Sequence, residues 1–408
     1  MDRWSHPCHV FHMMGPGIPS LFQGATRSMR DCGDESLNAH QPGESMPPRS
    51  ILLIRLSAIG DIAMASGVAS ALRRAYPGAR IDWLAQSEAA GLLKRCPGLD
   101  RVLAWPRQAW RENMKKARLA RTGGELRDLL RSLRLGDYDL VLDMQGLLKS
   151  GLLAALSGAR RRIGLGSREG SAWLMHEVVP ASADERIASE YKDLLRYVRV
   201  EARDYGLGLE PLEGDEQGAR ALLADHGAGE GYAAVCPFTT RAQKHWPEEH
   251  WAELLPRLER DFDLTPVILG GPADKEAAER IRSRAGGRTV NLAGRTDLGQ
   301  SLALVRGGDL VVGVDTGLTH MAVLSHRPTL ALFGSTRPYL DPETERAEVL
   351  YSAHSCSPCR RRPVCSDYPC MSAITPEWVL GKVKEVQSSK FEIEEERGEH
   401  CPLPTNRE

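Results

Sequence analysis

Short apolar runs at 51–56, 80–85, 138–143, 232–235, 266–269, 309–314 and 328–333 set the tightest limit on what this chain can fold into. Runs this short and this continuously apolar are strands buried on both faces, which is the condition of a parallel sheet. Helical stripes lie between them. Leu126, Leu129, Leu130 and Leu133 recur at i, i+3, i+4 and i+7, and Trp251, Leu254, Leu255 and Leu258 repeat the pattern after Pro247, read as first-turn proline. A polar, Gly- and Glu-rich stretch, "LGLEPLEGDEQGARALLADHGAGEG" (207–231), separates two such series. The expectation is an α/β chain of two doubly wound domains, 49–205 and 231–375, with a linker at 206–230 and a C-terminal helix at 376–390. Such sheets bind ligands at the C-terminal ends of their strands, so two of them face to face form a cleft. Residues 1–48 read as a disordered or upstream extension, with Met46 a candidate start, and 391–408 as a disordered tail.

The 408 residues carry a formal net charge of −1, so global charge gives no reason to expect nucleic acid. No apolar run approaches the roughly 18 residues of a membrane span, and the N-terminus lacks the apolar core of a secretory signal. A cytoplasmic protein is expected. Four of the nine cysteines, Cys356, Cys359, Cys365 and Cys370, form C-x2-C-x5-C-x4-C. A disulfide framework does not suit a chain of this size and class. Four thiols in so short a stretch fit a structural zinc, although the spacing departs from common zinc-ribbon and ferredoxin patterns.

Chemistry concentrates where strands end. In "ILLIRLSAIGDIAMASG" (51–67), Asp61 follows the first strand, either capping a helix or acting as a general base at a cleft mouth. In "PFTTRAQKHWPEEHW" (237–251), Thr239, Thr240 and Lys244 precede a helix, as an anion site would require; a polar loop with its lysine in solvent is the alternative. In "VVGVDTGLTHMA" (311–322), a buried strand runs into Asp315, Thr316 and Gly317 at a helix start that favours phosphate. Asp315 suits that place only by bonding amides or Lys244, and His320 also fits a satisfied core histidine. Asp274 or Glu276, in "GGPADKEAAERI", could accept from ribose hydroxyls. No G-x-G-x-x-G follows a strand, so a dinucleotide fingerprint is absent. Residues 107–135 hold nine Arg/Lys against three Asp/Glu. Arg107, Arg111, Lys115 and Lys116 lie beside Trp105 and Trp110, either as a solvated helix face or as a patch for an anionic acceptor.

"RLSAIGDI", "LDMQGLLKSG", "TTRAQKHWPEEHW" and "VVGVDTGLTHMA" together resemble glycosyltransferase family 9, the lipopolysaccharide heptosyltransferases, most closely those of type I. The likeness spans about residues 49–385. It implies a GT-B architecture of two Rossmann-like domains, the first binding acceptor and the second nucleotide-sugar. It also implies Asp61 as catalytic base, and Thr240 and Lys244 as contacts to donor phosphates and sugar. Asp315 would touch the donor sugar, Thr316, Gly317 and His320 would form the phosphate loop, and Asp274, Lys275 or Glu276 would bind ribose. The basic segment would meet acceptor phosphates. The implied reaction moves heptose from ADP-heptose, with inversion, to an anionic lipid A-linked Kdo acceptor at the inner face of the cytoplasmic membrane, as a peripheral protein. No acidic metal triad is evident, and no cofactor is expected. The rivals are a GT-B enzyme with another sugar or acceptor, a non-catalytic nucleotide-binding protein of this fold, and an NAD-dependent dehydrogenase, which the missing fingerprint disfavours.

Overall fold

The computed structural model describes residues 46–397, apart from 230, 360–362 and 364. The expected extension, save its last residues, and the end of the expected tail lie outside the described residues. Two six-stranded sheets carry the chain, and every pairing within them is parallel. The first contains β1 (Ser50–Ile54), β2 (Arg80–Gln86), β3 (Arg101–Trp105), β4 (Leu140–Asp143), β5 (Arg161–Leu165) and β6 (Glu177–Val179), in the order 3-2-1-4-5-6. The second contains β7 (Tyr232–Cys236), β8 (Thr265–Ile268), β9 (Val290–Asn291), β10 (Leu310–Val314), β11 (Thr329–Phe333) and β12 (Ala347–Tyr351). Its order, 9-8-7-10-11-12, repeats the first. In each sheet the order reverses beside the first strand, between β1 and β4 and between β7 and β10. That reversal opens a crevice at the strand ends.

Helices α1 (Ile59–Ala75), α2 (Ser87–Leu93), α3 (Arg107–Lys115), α4 (Leu119–Leu135), α5 (Leu148–Leu156) and α6 (Ser189–Tyr197) accompany the first sheet. Helices α7 (Glu213–Asp225), α8 (Glu248–Phe262), α9 (Lys275–Ala285), α10 (Leu298–Gly307), α11 (Gly317–Leu324), α12 (Pro369–Ser372) and α13 (Pro376–Arg397) accompany the second. All seven apolar runs form strands close to their expected bounds. In α8 the whole Trp251, Leu254, Leu255, Leu258 stripe is buried. One buried apolar cluster passes from Ile51 and Ile81 of the first sheet to Val267 and Val311 of the second, so the halves share a core.

Four expectations need correction. The linker at 206–230 is not free chain: it contains α7, and its approach is bonded to both halves. Gly208 N–H donates to Ser66 Oγ at 2.9 Å and Leu207 N–H to the Leu324 carbonyl at 3.0 Å. The last helix runs to Arg397, through residues assigned to a tail. Leu126 of α4 is exposed while Leu129 and Leu133 are buried, so that stripe is narrower than its spacing suggests. Pro247 stands just before α8, where it leaves no helical hydrogen bond unmade, rather than inside the first turn.

Candidate active site

The end of β1 is built to present Asp61. Arg55 and Leu56 remain buried beyond the strand, and the chain turns at Ser57 and Ala58 into α1. Gln145, just past β4, clamps that turn: its Oε1 accepts from the N–H groups of Leu56 at 3.0 Å and Ser57 at 3.1 Å. Asp143 shapes the clamp by accepting from Gln145 N–H, Gly146 N–H and the Ser150 hydroxyl. Burial pushes the Asp143 carboxyl up to about 6, against those three hydrogen bonds. Asp61, the third residue of α1, accepts from Ala58 N–H at 3.0 Å and pairs with Arg55 at 2.7 Å. It therefore caps the helix and also opens onto the cleft, with 38% of its side chain exposed.

The second sheet answers from across the cleft. Thr239 and Thr240 follow β7, and the His245 ring pins their loop by donating to the Thr239 carbonyl at 2.8 Å. Lys244 reaches Asp315, just beyond β10, with Nζ 2.6 Å from Oδ2. His320 Nε2 stands 3.2 Å from the other carboxylate oxygen, and the Thr336 hydroxyl also donates to Asp315. A carboxylate only accepts, so Nε2 carries the His320 proton, and Nδ1 accepts from the Tyr339 hydroxyl at 3.0 Å. Burial alone would raise the Asp315 carboxyl. The hydrogen bond from His320, with the Lys244 ammonium, outweighs burial and holds it well below the usual carboxylate range. His320 is thus a satisfied, buried histidine and a cleft-lining residue at once.

Both sets of residues line one cavity of about 1080 Å³. The starts of α1 and α11 meet there. A Cβ on Gly317 would lie 3.1 Å from the Gly60 amide nitrogen, and one on Gly60 would lie 2.9 Å from His320 Cδ2. Two helix N-termini, one from each sheet, therefore bring free N–H groups and positive dipole ends to the same place. Phe238, Leu269 and Leu298 give the second half of the cavity a partly apolar wall.

Asp61, Thr239, Thr240, Lys244, Asp274, Asp315, Thr316, Gly317 and His320 all line the cavity. Glu276 does not: it is exposed on α9, outside the lining, while Asp274 sits at the rim and accepts from Gly271 N–H at 2.8 Å. A second hollow of about 310 Å³ holds Arg107, Arg111 and Lys115, together with Glu112. Gln86 and Glu88 line both spaces and so join them. Lys116 is exposed outside that lining. Trp105 and Trp110 are half-buried and not part of the exposed basic face. They pack edge to face at 6.1 Å against the core, and Trp110 donates to Glu125 at 2.8 Å.

Cys356, Cys359, Cys365 and Cys370 are free thiols. Among the described residues, no group of three His, Cys, Asp or Glu side chains is arranged to hold a metal. Sequence reading passed over Arg55, Gln145, Thr336 and Tyr339. Only Arg55 carried a signal, as the one cation inside an aliphatic run.

The family model for glycosyltransferase family 9 (heptosyltransferase) matches residues 126–367. Lipopolysaccharide heptosyltransferase 1 of Pseudomonas aeruginosa is 32% identical over 336 residues, covering 78% of this chain and 88% of that one. The enzyme of the same name from Escherichia coli K12 is 28% identical, covering 71% and 89%. Among solved structures, E. coli heptosyltransferase WaaC with ADP aligns with a TM-score of 0.63 at 25% identity, over 83% of this chain and 99% of that one. A glycosyl transferase family 9 protein from Veillonella parvula aligns with a TM-score of 0.69 at 20% identity, over 84% and 97%.

Proposed function

Because the chain belongs to glycosyltransferase family 9, the heptosyltransferases, we propose that it moves heptose from ADP-heptose to the Kdo region of the lipopolysaccharide inner core. One observation carries the reading: Asp61 of the first half opens onto the same cavity as Lys244, Asp315 and the α11 N-terminus of the second. In this reading the adenosine lies along Phe238, Leu269 and Leu298, and the diphosphate lies at Thr316 and Gly317. The acceptor hydroxyl attacks the anomeric carbon and its proton passes to Asp61. The bond from that carbon to the diphosphate breaks, and its electron pair leaves with ADP. One displacement inverts the centre, and one base suffices. Lys244 and the helix amides meet the charge that develops on the leaving group, where preorganised donors are most effective. Asp315 holds Lys244 and His320 in place meanwhile.

The hollow around Arg107, Arg111 and Lys115 suits the acceptor's anionic groups, because it joins the cleft on the Asp61 side. Membrane contact is assigned to another face. Leu148, Leu152 and Leu156 recur every four residues on α5 and are exposed, and Trp173, in the turn packed on α5, is 92% exposed. Arg168, exposed in the loop before that turn, supplies positive charge nearby, which fits an anionic bilayer. No helix among the described residues is long and apolar enough to cross a membrane. Trp173→Glu with Leu152→Glu is expected to abolish sedimentation with phosphatidylglycerol vesicles while sparing turnover of a soluble acceptor.

The direct test offers ADP-heptose and other nucleotide sugars with Kdo-bearing lipid A and identifies the product by mass spectrometry. A product one heptose heavier, formed only from ADP-heptose and unaffected by EDTA, is expected. Transfer of a different sugar would redirect the donor reading, and loss of activity in EDTA would overturn the proposed metal independence.

A further inference from the structure

Arg55 is the only charged residue in the first apolar run, and only 9% of it is exposed. A guanidinium taken out of water needs a partner of opposite charge and good geometry. Here that partner is Asp61: Arg55 Nη2 lies 2.7 Å from Asp61 Oδ2. Arg55 Nη1 donates to the Met144 carbonyl, next to the Gln145 clamp, and Trp83 Nε1 fixes the Arg55 carbonyl at 3.1 Å. The Arg55 backbone is thus held from β2, and its side chain from the residue just past β4. Ala58 N–H also donates to Oδ2. The Ala58 hydrogen bond and the Arg55 ion pair thus meet on the same carboxylate oxygen, Oδ2.

We infer that Arg55 is a positioning residue for the transfer reaction: with Ala58 N–H it saturates one oxygen of Asp61 and turns the other, Oδ1, toward the acceptor hydroxyl. The inference rests on Asp61 being the base. A carboxylate on a helix is otherwise free to rotate about two bonds, and each arrangement that does not face the acceptor is lost to catalysis. Two donors on a single oxygen remove that freedom. During transfer the acceptor proton passes to Oδ1 while the new glycosidic bond forms and ADP departs with the old bond's electron pair. Asp61 is then neutral, and its proton goes to solvent before the next turnover. Arg55 touches neither substrate nor leaving group in this scheme. Its effect belongs to kcat, with donor binding left to the other half of the cleft.

The test uses the full chain with ADP-heptose and a Kdo-bearing acceptor. Arg55→Met is expected to lower kcat about 10- to 100-fold, with donor KM changed less than about threefold and ADP binding retained. Arg55→Lys restores a cation without the planar fork and is expected to recover part of that loss. Because Arg55→Met can fail to fold, the decisive measurement is a cycle between Arg55→Lys and Asp61→Asn. The Arg55→Lys loss should vanish when Asp61 is already Asn. Equal losses in both backgrounds, or a folded Arg55→Met with wild-type kcat, would overturn the role of Arg55. Wild-type turnover by Asp61→Asn alone would instead overturn Asp61 as base.

Discussion

Lys244 shows how tightly individual side chains are committed in this cleft. Its ammonium is already paired with Asp315 at 2.6 Å, so a diphosphate has to share it rather than find it free. Lys244→Ala should remove a charge-assisted contact of about 1.5–3 kcal/mol, raising donor KM and lowering kcat together. Steady-state kinetics with ADP-heptose that match the wild type would place the lysine outside the donor site. Asp61→Ala should cost about 10²–10⁴-fold in kcat and leave ADP affinity by calorimetry near wild type, since its work falls in the transition state. Asp143 gives a prediction in pH. Its folded-state carboxyl is raised to about 6 by burial. The stability linked to that group is therefore complete below its unfolded value and is lost as pH rises through 6. Compared with Asp143→Asn, the wild type should lose on the order of 2–3 kcal/mol of stability between pH 4 and 7; parallel urea-denaturation curves for the two proteins would refute this. Asp61, Lys244 and Asp315 were legible in the sequence because each follows a continuous apolar run whose end is a ligand-facing edge. Glu276 was not, because a glycine-rich turn leaves the register of the following helix open, and the fold turns Asp274 rather than Glu276 to the cavity.

At the level of elements, legibility followed burial. The central strands β1, β4, β7 and β10 show as apolar runs because both of their faces are covered. Strands β3 and β6 lie at the edges of the first sheet and β9 and β12 at those of the second, with half-buried or exposed positions in each, and so carry charges or shrink to two or three residues. Helix α7 was hidden by its own composition: glycines and acids that read as a linker serve a helix packed on α10. Trp105 and Trp110, beside the basic helix, are half-buried against the core of the first half, which the charges around them in the sequence do not show. Contact between α1 and α11 is what the sequence could not show, because its key residues are two glycines far apart in the chain. Gly60→Ala would press a methyl group on the buried His320 ring. The expected cost is about 1–3 kcal/mol in stability, typical of overpacking, with weaker ADP binding. An unchanged melting temperature and ADP affinity would mean that the two helix starts can part without loss.

Across the whole molecule, a nearly neutral chain keeps a local basic excess where the acceptor is proposed to enter. Arg107→Ala with Arg111→Ala should raise acceptor KM several-fold at low salt and leave donor KM unchanged. The defect should fade as salt rises, since exposed charges are screened over about 10 Å at 0.1 M. A wild-type acceptor KM at low salt would mark these residues as a solvated face. The meeting of Gly60 with Gly317 has a mechanical meaning as well. A fulcrum set beside Asp61 and Thr316 gives the reacting groups almost no lever arm and the outer lips of the cleft a long one. Swinging one half about that point would open the mouth to a bulky lipid headgroup while hardly altering the spacing at the centre, so admitting substrate and keeping alignment need not compete.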